Sequence, residues 1–171
     1  LSSKLHEIIL SSKRLRVTKK DIDEASKVVK TKYPDRVNTE SFAVGILGEV
    51  MYKKKRNGDI IQPERGSEFD RNGIDFIDEN GKNIDLKCPL IEENKIRIFI
   101  GSEKDYFKDT SLYALSILLK EDGKLNYIEV GYIEPKVAFT KLPYIVSRRD
   151  GTHLRYIMIN SQFKRFSQFL I

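Results

Sequence analysis

A single cysteine stands in this 171-residue sequence. That excludes an internal disulfide framework and any zinc site built on several cysteines, and it makes a reducing compartment the expected one. Long apolar runs are also missing. The longest, Leu112 to Leu119, is interrupted by Ser116, and it falls far short of the about 20 residues that cross a bilayer. Leu1 to His6 lack the apolar segment of a secretory signal. A cytoplasmic, intracellular protein with no membrane partner is the expectation. The chain opens on Leu rather than Met, which fits a trimmed chain or the end piece of a longer protein. No internal repeat, low-complexity linker, G-x-S-x-G elbow, Walker phosphate loop or dinucleotide fingerprint is present. His6 and His153 have no companion at metal-ligand spacing.

What is present is a polar globular chain. Apolar residues make up 40% and charged residues 33%, enough for one ordinary domain with a real core. Residues 1–171 are read as one domain, with 1–18 as a basic lead-in. Lys and Arg number 31 against 25 Asp and Glu, a net charge of +6, which favours an anionic partner such as nucleic acid. Thr18 and Asp21 have capping-box spacing, and Ile22, Ala25, Val28 and Val29 follow at helical spacing until Pro34. A second helix is expected from about Thr39 to Lys55 behind an Asn38 cap, with Phe42, Ala43, Ile46, Leu47, Val50 and Met51 on its apolar side. Glu49 falls at the edge of that stripe, half turned toward the core. Lys53, Lys54, Lys55 and Arg56 close the helix ahead of Gly58. This run suits the helix dipole and could also grip phosphates.

Beyond Ile60 the pattern becomes strand-like. Runs are expected at 73–78, 82–88, 95–100, 112–119 and 126–134, with edge strands at 144–146 and 155–159. One helical turn is expected at 103–108 and a last helix at 161–170. Helices, then a sheet, then a helix give an α/β (α+β) fold with a mixed central sheet flanked by helices. Tyr106, Phe107, Tyr113, Tyr127, Tyr132, Tyr144 and Tyr156 interleave with charges. Sheet packing is the expectation for most of them, and a base-stacking platform is the alternative.

The hairpin around Asn80-Gly81 carries the chemistry. A two-residue loop would set Phe76 beside Asp85 and mix apolar with charged side chains on both faces. A three-residue loop, Glu79-Asn80-Gly81, pairs Phe76 with Ile84 and Asp75 with Asp85. It gathers Ile74, Phe76, Ile84, Leu86 and Cys88 on one face and Asp75, Asp85 and Lys87 on the other. Two carboxylates opposite each other lie about 5 Å apart at Cβ and repel. A hard divalent cation is their natural companion, Mg²⁺ first, and the geometry suits metal-assisted attack of water on a phosphodiester.

Asp75 followed nine residues on by Asp85-Leu86-Lys87 resembles the PD-(D/E)XK nuclease superfamily, the restriction-endonuclease-like proteins. Glu49 matches the helical glutamate of many members. The resemblance covers roughly residues 39–134 in pattern and four positions in identity, and Ile74 stands where the family often has Pro. It implies that Glu49, Asp75 and Asp85 hold Mg²⁺ or Mn²⁺, that the Leu86 carbonyl joins the metal shell, and that Lys87 is the catalytic lysine. The implied function is a metal-dependent endonuclease, a hydrolase acting on DNA by default, with a homodimer as the arrangement that would cut both strands. Two alternatives remain: a non-catalytic, basic nucleic-acid-binding protein on a degenerate nuclease fold, or an RNA-cleaving (tRNA) toxin domain.

Overall fold

The computed structural model describes residues 9, 12–92, 97–102, 105, 109–141, 145–159 and 167–171. The turn expected at 103–108 and most of the helix expected at 161–170 lie outside these residues, as do residues 95, 96 and 144 of two expected strands.

Strand β1 (Arg14–Arg16) comes first. Residues 14–16 of the segment expected as a lead-in are therefore part of the sheet, where Arg14 pairs with Glu121 at 2.6 Å. Helix α1 (Lys19–Lys32) begins at the expected capping box, with both the Thr18 and Asp21 side chains engaged. Ala25 and Val29 turn into the core, but Ile22 is 46% exposed. A 3₁₀ turn at Pro34–Arg36 follows.

Helix α2 (Glu40–Lys55) is capped in position by Thr39 rather than Asn38, and no side-chain hydrogen bond supports that cap. It buries Ile46, Leu47, Gly48, Met51 and Tyr52. Asn57 and Gly58, with φ of 52° and 77°, turn the chain out of it; Gly supplies this left-handed geometry at little cost. A short helix α3 (Glu68–Arg71) precedes the hairpin of β2 (Phe76–Ile77) and β3 (Asn83–Lys87).

The hairpin adopts the three-residue loop. Phe76 pairs with Ile84 and Ile77 with Asn83, and Gly81 takes a φ of 74°. The Asp78 carboxylate accepts from the Asn80 and Lys82 backbone N–H groups at 2.9 and 2.8 Å, which braces the turn. Apolar pairing across the ribbon thus overrides the local Asn-Gly preference for a tighter turn. The first strand is shorter than the expected 73–78, because Asp75 leaves regular pairing.

After β4 (Leu90–Ile91) and β5 (Arg97–Ser102) come β6 (Leu112–Glu121) and β7 (Lys124–Ile133), joined at Asp122-Gly123. Both turn residues have positive φ, 50° and 74°, as this tight hairpin turn requires. Helix α4 (Pro135–Lys141), β8 (Ile145–Ser147) and β9 (His153–Met158) complete the described elements. Nothing in the hydrophobic pattern pointed to α4.

The main sheet runs β2-β3-β6-β7-β1, with β4 also on β6, and a smaller sheet runs β5-β9-β8. Strands β3 and β4 lie parallel to β6, while the other pairs are antiparallel. The expected α/β class with a mixed central sheet therefore holds. Strand β6 is buried on both faces. Leu112, Ala114 and Leu118 face α1 and α2. Tyr113, Leu115, Ile117 and Leu119 face α4 and the smaller sheet. Two-sided burial explains why this strand reads as a continuous apolar run rather than an alternating one.

Candidate active site

Three short-range features bring the acidic residues together. First, Asp75 is tied to β3 at two points. Its backbone N–H donates to the Ile84 carbonyl at 2.9 Å, and its Oδ2 accepts from the Leu86 N–H at 2.8 Å. These bonds straddle Asp85. Second, the D-x-K spacing on β3 puts Asp85 and Lys87 on one side of the strand, with Lys87 Nζ 3.1 Å from Asp85 Oδ2. Third, α2 packs close to β3 at Gly48. A Cβ placed there would sit 2.5 Å from the Cys88 Cβ and 2.8 Å from its sulfur. This close approach carries the next residue, Glu49, to Asp75. The four residues singled out from sequence are thus neighbours.

The electrostatics reflect the crowding. Burial, followed by the negative charges of Glu49 and Asp85, pushes the Asp75 carboxyl well above the ordinary aspartate range; the Leu86 N–H and Lys87 offset this only in part. Burial also raises Glu49, with Arg65 and a hydrogen bond shared with Asp75 pulling the other way. Two carboxyl groups that share a hydrogen bond need a proton between them, or a cation in its place.

Arg65 and Gln62, which the pattern of the sequence did not single out, hold Glu49. Arg65 Nη2 reaches Glu49 Oε2 at 2.7 Å, and Gln62 Nε2 donates to the same oxygen at 3.0 Å. Asp70 receives Arg65 Nη1 at 3.3 Å and the Gly66 N–H at 2.8 Å, and so joins the site through Arg65. Arg65 also lies over the Tyr33 ring, 5.0 Å from its centroid. These partners sit in a polar connection with no periodicity to orient it. Only the charge of Arg65, between two acidic segments, hinted at a role. Tyr113 is the other unforeseen neighbour. It pairs with Asp85 across β3 and β6, and Lys87 Nζ lies 5.4 Å from its ring centroid.

Four acids (Glu49, Asp70, Asp75 and Asp85) therefore surround two cations (Arg65 and Lys87). A hard divalent ion fits this surplus of negative charge, and the oxygen donors of Asp75, Asp85 and the Leu86 carbonyl are of the kind that Mg²⁺ and Mn²⁺ prefer. Among the described residues, however, no three of His, Cys, Asp and Glu are already disposed around one point as a ligand set. Glu49 is turned to Arg65 and Asp85 to Lys87, so an arriving ion would have to draw them from these partners.

The run Lys53 to Arg56 lies elsewhere: its three lysines are exposed at the helix end and Arg56 is half-buried, yet most of the run is engaged by acids. Lys54 pairs with Asp21 at 2.8 Å and Lys55 with Glu129 at 3.3 Å. Arg56 contacts both Glu129 oxygens, at 2.6 and 3.3 Å, and covers the Tyr52 ring with its guanidinium 3.4 Å from the centroid. Burial pushes the Glu129 carboxyl upward, but Arg56 and Lys55 outweigh it and hold the group below its usual range. Lys53, exposed like the other two lysines, alone of the four has no such pair among the described residues. The expected phosphate grip is therefore mostly occupied by acids of α1 and β7. Among the described residues, no helix is long and apolar enough to cross a membrane. No protein-family model matches this chain, and no curated protein matches it in sequence.

Proposed function

We propose that this chain is a metal-dependent endonuclease that hydrolyses nucleic-acid phosphodiester bonds, with DNA as the default substrate. The observation that carries the reading is the crowding at Asp75, where a half-buried carboxyl group bears on Glu49 and Asp85 with Lys87 alongside. Such an arrangement stays costly unless positive charge enters it. Asp75, Asp85 and the Leu86 carbonyl would hold Mg²⁺ or Mn²⁺, and Glu49 would complete the shell or orient a water. When bound, the ion supplies Lewis acidity toward the phosphate and lowers the pKa of a bound water. Lys87 contributes a donor for a phosphoryl oxygen as charge builds in the transition state. Asp85 holds the Lys87 ammonium group in place until substrate arrives.

The test is a panel of plasmid, linear duplex and tRNA, incubated with Mg²⁺, Mn²⁺ or EDTA. Cutting should require the ion and should vanish in Asp85→Ala and Lys87→Ala proteins that still fold. Cleavage of tRNA alone would move the substrate to RNA. The Arg65–Glu49 ion pair favours a second reading, since it neutralises an acid the metal would otherwise use. On that reading the fold binds nucleic acid without cutting it, and binding would persist with every metal while all substrates stay intact.

A further inference from the structure

A groove of about 690 Å³ opens beside Lys87, between the first turns of α2 and the strands β3 to β5. Its size falls within the about 300–1,000 Å³ of small-ligand pockets. Val44 and Leu86 give it apolar walls, Glu40 and Glu92 place acids along it, and Phe99 borders it. Phe99 is 45% exposed. Its ring leans on Tyr156 at 5.4 Å between centroids, and the Arg97 guanidinium lies 4.4 Å from the Tyr156 centroid on the same exposed side of β5 and β9.

A single exposed aromatic is ordinary on a protein surface; Phe99 carries weight because it lines the same groove as Lys87 of the candidate site. The charges narrow the occupant. Glu40, in the first turn of α2, repels phosphates, so the backbone of a regular duplex gains little along this wall. A base carries no charge, offers a flat π-face to Phe99, and can donate its amino protons to a carboxylate. Among the described residues, Lys87 on the groove and Arg97 beyond Phe99 are cations that flanking phosphates could meet.

We infer that this groove binds one unpaired base of a single-stranded or locally opened nucleic acid, stacked on Phe99, with the neighbouring phosphate at Lys87. The inference rests on the nuclease reading for the placement of the scissile phosphate, but not for the binding itself. The substrate it names is nucleic acid with at least one base out of the helix, because a paired base has its faces covered by its neighbours.

Fluorescence anisotropy with labelled single-stranded DNA, single-stranded RNA and the matching duplex, in EDTA so that nothing is cut, tests this directly. Single strands should bind at least about ten-fold more tightly than duplex. Phe99→Ala should weaken single-strand binding by about ten-fold, the order expected for one lost stacking contact, while Phe99→Trp keeps it. Phe99→Ala loses the ring contact with Tyr156 and should melt somewhat lower while remaining folded, whereas Phe99→Trp keeps an aromatic partner there and should melt like the parent. Duplex binding as tight as single-strand binding, or a Phe99→Ala protein that binds like the parent, overturns the inference. If the binding pattern holds but no metal supports cutting, the nuclease reading fails and the base site stands. If metal-dependent cutting occurs but Phe99→Ala alters neither binding nor the preference for single strands, the base site fails and the nuclease reading stands.

Discussion

Gly48 and Cys88 meet so closely that no side chain fits between them: an added Cβ would lie 2.5 Å from the Cys88 Cβ. The contact is with a β-carbon fixed to the backbone of the chain segment that follows Lys87, so it cannot swing aside. Gly48→Ala is therefore expected to lower stability by about 1–3 kcal/mol, the usual cost of overpacking, despite the better helix propensity of Ala. Gly45, on the same helix, meets nothing within 4 Å. Gly45→Ala should raise stability by up to about 1 kcal/mol. Urea denaturation of the two variants checks both signs.

Asp75→Asn keeps an oxygen to accept the Leu86 N–H and removes one of the mutually repelling acids. In EDTA the variant should melt higher than the parent, by the equivalent of about 1 kcal/mol. Mn²⁺ should raise the melting temperature of the parent, since an ion bound only to the folded state at a hundred times its Kd adds about 2.7 kcal/mol. It should leave Asp75→Asn unmoved. A parent that melts at the same temperature with and without Mn²⁺ would remove the metal site.

Arg65→Ala leaves Glu49 with Gln62 and the hydrogen bond it shares with Asp75, and without its charged partner. A loss of about 1–3 kcal/mol is expected. Pairing the change with Glu49→Gln should recover part of it, and a double-mutant cycle by chemical denaturation reads the coupling. Additive losses would mean that the ion pair contributes nothing of its own.

Asp21 links stability to pH. Burial alone would raise its carboxyl, but hydrogen bonds from Lys54 and Thr18 hold it below the ordinary value. The folded state therefore releases this proton more readily than the unfolded chain does. The stabilisation is fully present above the unfolded value of about 3.9 and is lost as pH falls through the lower folded value. Asp21→Ala should cost about 1–2 kcal/mol at neutral pH, through the lost cap and the unpaired Lys54. Its stability should also fall less steeply than the parent's on acidification, as followed by urea midpoints.

Much of this arrangement is legible in the sequence. The capping box at Thr18 and Asp21 is a local signal and was read correctly. The pairing of Phe76 with Ile84 followed from demanding one apolar face, and that demand proved stronger than the Asn-Gly turn signal. Glu49 was placed by helical period alone. Arg65 and Gln62 could not be placed, because a connection without periodicity leaves side-chain direction undetermined. The solvent-facing reading holds for Lys54 and Lys55, but their ion pairs and that of Arg56 are not legible, since Asp21 and Glu129 are distant in sequence and only the folded chain brings them near. The packing of α2 against Cys88 was equally hidden, for a glycine in a helix announces only a weakness until its neighbour is known.

Strand β6 serves both cores at once, with Ala114 and Leu118 turned to one and Leu115 and Ile117 to the other. The molecule thus has a keel rather than two separable halves. Loosening either flank frees side chains on the timber that the opposite flank is fastened to, so neither should come apart alone. Truncation at either side of residues 112–121 should yield a fragment with no fold of its own.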